Sequence, residues 1–288
     1  MAMKDFWQKH ENLYFAVSNK KVIFGVVIFL SIVILSIIGP IVTPYDYEEF
    51  AGMGYQPPSK QHWFGTTIMG RDVFTQVVYG LRSTLLVGFI AGTIASAIGL
   101  VVGFVSGYFS GQAADESLMA LTNIFMVIPS LALLIILSAY LPYRGIVTQS
   151  LIVAATAWPW TARAVRSQTL SLKSQEFVNL SRISATPTFR ILREDIAANM
   201  FSYVFMVYIL QFNGTILSSV GLEFLGLGPT RGISLGLVLQ NAVNWNALHL
   251  GMWWWTIIPG LILTMLIVSL YFINTGLDEV FNPRLREM

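Results

Sequence analysis

Few side chains in this 288-residue sequence could carry catalytic chemistry. Cysteine is absent, which removes disulfides, thiolate metal sites and thiol nucleophiles. The histidines, His10, His62 and His249, lie far apart and show no metal-ligand spacing. No G-x-x-x-x-G-K-[ST] phosphate loop, G-x-S-x-G elbow or H-E-x-x-H zinc helix occurs anywhere. No catalytic, cofactor-binding or metal site is therefore expected in this chain, and any ATP and magnesium chemistry belongs to another polypeptide. Charge that could act in recognition is concentrated instead in one stretch, Gln168 to Asn199, which sets Lys173, Glu176, Arg182, Arg190 and Arg193 between two hydrophobic blocks.

Within that stretch Leu172, Phe177, Leu180 and Ile183 recur at helical spacing and predict a short amphipathic helix. Thr186-Pro187 then breaks it, because proline fixes its own φ and drives the preceding residue out of the helical region. A second helix is expected from about Thr188, with Phe189, Ile191, Leu192 and Ile196 as its apolar positions. A helix, a bend and a second helix between membrane spans form a docking element for a soluble partner.

The elements that position this loop follow from composition. Apolar residues make up 55% of the chain and charged ones only 11%, against about 25% charged in soluble domains. This is an integral, all-α membrane protein. Residues 1–21 read as an amphipathic cytoplasmic helix on the membrane surface, too polar for the core of a signal peptide and expected to be retained. Residues 22–42 form the first span and 43–84 an extracytoplasmic segment with a short helix near Arg71 to Tyr79. Residues 85–275 form a five-helix core containing the 168–199 loop, and 276–288 a cytoplasmic tail. Within the core the expected spans are Leu85 to Tyr108, Leu118 to Leu141, Ile146 to Trp160, Phe201 to Leu225 and Met252 to Thr275. The second of the six carries Gly88, Gly92, Gly99, Gly103 and Gly107, a stripe that demands a closely packed partner surface. Pro129, Pro159 and Pro259 are candidate bends.

With both ends inside, twelve of the seventeen Lys and Arg residues fall on cytoplasmic segments and five outside, which satisfies the positive-inside rule. None of the six spans has an ionisable residue near its middle, where an ion-coupled transporter binds its coupling ion. A motor located elsewhere fits better.

These residues resemble a family. Glu176, Phe177, Val178, Arg182, Arg190, Ile191, Ile196 and Asn199 fit the signature cytoplasmic loop of ABC importer permeases, and most closely that of dipeptide/oligopeptide permeases. Phe64-Gly65-Thr66 with Gly70-Arg71-Asp72-Val73, Tyr79 to Ser83, Gly221 to Gly228 and Asp278 to Arg286 are similar to further stretches of that family, so the resemblance covers residues 20 to 286. It implies a type I ABC importer permease fold in a prokaryotic plasma membrane, with both termini cytoplasmic. It also implies a second homologous permease, two cytoplasmic ABC ATPases and an extracytoplasmic binding protein that delivers substrate, with lipid around the spans and no nucleic acid. The residues expected to meet an ATPase are Glu176, Phe177, Val178, Leu180, Arg182, Ile183, Ala185, Thr186 and Arg190. The loop departs from the family pattern at Leu180-Ser181, at Asp195, at Ala198 and above all at Ala185, which stands where a glycine is usual. Alanine disfavours positive φ, so the turn is expected to shift onto Thr186-Pro187.

Peptides are the substrate that the resemblance implies. Trp245, His249, Trp253, Trp254 and Trp255 would suit sugar stacking and keep oligosaccharides open, although they equally suit an interfacial belt. Nickel is least favoured, because the spans offer no His or carboxylate ligands. A channel or scaffold that binds a cytoplasmic partner without transport would explain the spans and the loop, but not the additional motifs.

Overall fold

The computed structural model describes Phe15 and residues 17–281. The expected surface helix over residues 1–21 and the end of the 276–288 tail, with Arg284 and Arg286, lie largely outside these residues. The described residues are all-α, with one isolated bridge pairing Thr66 and Asp72. The elements are α1 Lys20–Val42, α2 Val73–Tyr108, α3 Ala113–Val127, α4 Ser130–Ala139, α5 Ile146–Lys173 and α6 Glu176–Ile183. They continue with α7 Thr188–Phe224, α8 Leu235–Asn244 and α9 Trp253–Phe281.

Several boundaries differ from expectation. The second span begins at Val73, so the short external helix and the span are one element of 36 residues. At 1.5 Å per residue it is about 54 Å long, well beyond a hydrocarbon core of about 30 Å. The expected third span is broken: α3 and α4 meet at Ile128-Pro129 with a bend of 84°. Pro129 forces Ile128 into extended backbone, at φ −74° and ψ 126°, and the helix restarts after it. Pro159 and Pro259, by contrast, sit inside continuous helices. The fifth span starts at the loop itself, because Thr188–Arg190, a π-helical stretch Ile191–Ala197 and Ala198–Phe224 run on as one helix.

Six spans were expected; α1, α2, α7 and α9 are long and apolar enough to cross a membrane, and α3 with α4 makes a fifth if counted as one broken span. The remaining expected span is α5, which is long enough but carries Gln149, Arg163, Arg166, Gln168 and Lys173 among its apolar residues.

The chain divides into two compact units. One comprises the described residues up to Val87, Tyr143–Ile146 and those from Ser219 on. Here α1 lies on α9: Gly25 leaves room for Ser269 and Ile273, and Gly276 for Val22. Glu279 accepts from Asn19 Nδ2 at 3.0 Å and pairs with Lys21. The 43–72 segment is ordered by Asp72, whose carboxylate accepts from the Thr75 amide at 2.8 Å and from the Thr75 hydroxyl, capping α2, and contacts His62 Nδ1 at 2.9 Å. Trp254 Nε1 donates to the Thr66 carbonyl at 3.1 Å, tying that segment to α9. Trp254 is therefore a buried structural residue, which removes it from the set that could stack on a sugar.

The other unit comprises Gly88–Pro142 and Val147–Ser218. Its centre is the glycine stripe of α2. A methyl placed on Gly99, Gly103 or Gly107 would come within 2.5, 2.7 or 2.6 Å of the Cβ of Thr161, Val165 or Thr169 of α5. On Gly88 it would come within 2.5 Å of Ile216 of α7. The stripe was expected to demand a partner surface, and that surface is supplied by the chain's own helices. Gln211 of α7 links to α5 twice, accepting from the Thr161 hydroxyl at 2.9 Å and donating to the Ala157 carbonyl at 3.1 Å. Arg166 of α5 grips Asp115 of α3 in a two-bond fork at 2.7 and 2.8 Å, and Arg163 donates to Asn123 at 2.7 Å.

Candidate functional site

The loop predicted to dock a partner folds as a helical hairpin on this second unit. Glu176 sits in the first turn of α6 and Arg182 in the last, each at the helix end whose dipole favours its charge. After Ile183 the chain leaves the helix through a Schellman turn. The Thr186 amide donates back to the Ser181 carbonyl and the Ala185 amide to that of Arg182, both at 3.0 Å. The residue between cap and exit is Ala185, with φ at +56°. The turn was expected to move because alanine stands there in place of glycine. It has not moved: alanine takes the left-handed conformation, and Pro187 follows to stop the helix. That conformation costs an L-residue about 1–2 kcal/mol, part of which a glycine gives back as chain entropy. Ala185→Gly should therefore raise stability by about 0.5–1 kcal/mol, read as an upward shift in the thermal melting of the purified protein, while Ala185→Val should lower it.

What holds the hairpin in place is a small apolar cluster, with Val178, Ile191, Ile196 and Met200 buried against Val165 of α5. Val178 has no exposed surface. It was grouped with the residues expected to meet a partner and is instead the anchor of α6, because its side chain leaves the helix on the inward face. The outward face is apolar as well: Phe177 is 38% exposed, Leu180 63% and Ile183 83%, and Phe189 on the returning helix is 74% exposed. Glu176, Arg182, Ala185 and Arg190 are also exposed, and Thr186 is partly buried.

The basic residues are organised by two devices. Tyr108, the last residue of α2, has the Arg182 guanidinium 5.5 Å from its ring centroid and the Lys173 ammonium 5.8 Å away. These distances suit cation–π attraction. Glu194 on the return accepts from Arg190 Nε at 2.8 Å and from Arg193 at 2.9 Å. Sequence reasoning missed Tyr108, which closes a run read only for its glycines, and placed Phe189 in the second helix without grouping it with the outward face.

The structure thus places Glu176, Phe177, Leu180, Arg182, Ile183 and Arg190 on one helical hairpin, all of them exposed. Among the described residues no group of three or more His, Asp or Glu side chains is arranged to hold a metal ion.

Comparison with known proteins agrees with this architecture. Residues 99–287 match the model of the binding-protein-dependent transport system inner membrane component. Residues 16–58 match the N-terminal transmembrane domain of oligopeptide transport permease C. The chain is 31% identical to the oligopeptide transport system permease protein OppC of Bacillus subtilis, over 94% of its own length and 88% of that protein. It is 32% identical to the dipeptide transport system permease protein DppC of the same organism, over 93% and 83%. Against the DppC of Alkalihalophilus pseudofirmus the identity is 30%, over 93% and 87%. With well over half of the chain matched by one family model and these relatives covered nearly end to end, the chain belongs to the family of binding-protein-dependent transport system inner membrane components.

Proposed function

We propose that this chain is one of two homologous permease subunits of an ATP-driven importer of di- and oligopeptides. In this reading the α6 hairpin faces the cytoplasm and sits in a groove of an ABC ATPase, one of two in the complex. An extracytoplasmic binding protein delivers the peptide, and ATP with magnesium is handled on the ATPases. The observation that carries the reading is the outward apolar face of α6: an aromatic and two large aliphatic side chains left uncovered on a helix that its own protein holds by Val178. Peptide as substrate is supported by the names of these three relatives, oligopeptide and dipeptide transport permeases. ATP-driven closure of the ATPases would move the docked hairpin, and α7, continuous with it from Thr188, would carry that movement into the membrane.

Phe177→Ala tests the docking. A central aromatic anchor at an interface is worth on the order of 2 kcal/mol or more. The variant should reach the membrane at the normal level while ATPase co-purification falls at least tenfold and peptide uptake is lost, and Glu176→Lys should behave likewise. A reduced membrane level with intact co-purification of what remains would show that Phe177 serves only the fold of this chain.

A further inference from the structure

The second unit contains an open cleft of about 550 Å³ where the α3–α4 break faces α5 and α7. Its position is set by the break. Ile128 and Pro129, whose backbone is not helical, line it together with Ser130, the first residue of α4. In the flanking sequence, apolar enough for a membrane span, such backbone persists only where it is buried in protein or lines a cavity that admits water.

Two features show what the cleft is built to admit. First, every side chain that lines it is uncharged. The polar contributions come from the hydroxyls of Ser130, Thr156 and Ser218 and the amide of Gln211, set among aromatic and aliphatic walls. Gln211 is nine-tenths buried and is held in one orientation by its two bonds to α5. Second, Gly214 of α7 opens onto the cleft, and a methyl added there meets nothing within 4 Å. The glycines of α2 from Gly88 to Gly107 are each filled tightly by a neighbouring helix. Gly214 makes room in the cleft instead.

We infer that this cleft is the section of the substrate path contributed by this chain, and that it receives a peptide through its backbone amides without sorting side chains by charge. The inference rests on the peptide-import reading above. The size lies within the usual range of ligand sites, about 300–1,000 Å³. A wall of hydroxyls, one oriented carboxamide and apolar surface can exchange hydrogen bonds with any peptide unit. A fixed charge would favour some side chains and repel others.

The test uses the assembled importer in membrane vesicles, with subunits separated after labelling so that only this cysteine-free chain is scored. Gly214→Cys should react with a membrane-impermeant, positively charged thiosulfonate, and saturating peptide with the binding protein should slow that reaction several-fold. Gly214→Trp should lower uptake at least tenfold at normal subunit level. Wild type should take up tripeptides with a neutral, acidic or basic central residue at similar maximal rates. Ser218→Asp and Ser218→Lys should split the acidic and basic peptides about tenfold in opposite senses. Undiminished transport by Gly214→Trp, or reaction of Gly214→Cys with a lipophilic maleimide only, would overturn the assignment. So would silence to both reagents, which would mean that a partner subunit or lipid fills the cleft. If wild type imports no peptide at all, the peptide reading fails, while the labelling and its protection still decide whether the cleft is a water-filled path.

Discussion

Gly103→Leu is expected to leave almost no folded protein in the membrane. A side chain at this position meets the Ala162 carbonyl and the Val165 Cβ at 2.7 Å, and neither can swing aside, since one is backbone and the other is rooted in a buried residue of the cluster under the α6 hairpin. Helices α2 and α5 would have to separate along a contact that also includes Gly99 and Gly107. Overpacking of a close-packed site typically costs about 1–3 kcal/mol, and a backbone neighbour at 2.7 Å places this one at the upper end. In a membrane it also removes the close packing that holds helices together where no hydrophobic force does. The measurement is the amount of monodisperse protein after detergent extraction, compared with Gly214→Leu, whose side chain points into open space. Similar yields for the two leucine variants would show that the α2–α5 contact is not a determinant of folding.

Arg166→Met should be the most damaging change among the charged residues. Asp115 retains only 7% of its side-chain exposure and Arg166 27%. Deleting the arginine strands a buried carboxylate whose remaining contact is the Gly111 amide at 3.1 Å. Leaving a buried ion without its partner costs about 3–5 kcal/mol. Asp115→Asn should cost clearly less, because the asparagine still accepts a hydrogen bond and Arg166 can extend into solvent. The double variant Arg166→Met with Asp115→Leu should recover most of the loss. Thermal melting of the three proteins gives the comparison. Equal costs for the two single variants would argue that the fork adds little beyond surface charge.

Much of this molecule was legible from residue types. The hairpin could be read because Pro187 is unambiguous punctuation and because Leu180 and Ile183 repeat at helical spacing beside Phe177. Which face of α6 points inward could not. An eight-residue helix with apolar side chains at Phe177, Val178, Leu180 and Ile183 has hydrophobic surface on more than one side, and only the packing of Ile191, Ile196 and Val165 selects Val178. Ala185 was misjudged by weighing one unfavourable dihedral alone. Its cost is of the same order as the turn's two backbone hydrogen bonds, each worth about 0.5–1.5 kcal/mol, and those bonds can outweigh it. The start of α2 was hidden by Thr75, Gln76 and Arg82, which resemble loop residues. The stronger signal was Val73, Val77, Val78 and Leu81 on one helical face, all buried. The cleft could be anticipated only in fragments, since Pro129 and Pro159 drew notice as candidate bends while nothing in the spacing of Ser130, Thr156 and Gln211 brings them together.

Helix α6 is eight residues long, short of the ~12–15 at which a helix sustains itself in water. Its order is therefore borrowed, from Val178 on one side and from the Schellman turn at its end. A segment held so lightly belongs to the fast end of amide exchange, opening locally without disturbing the buried helices beneath it. A partner that covered Leu180 and Ile183 would suppress that opening, and slowed exchange there would become a direct register of occupancy.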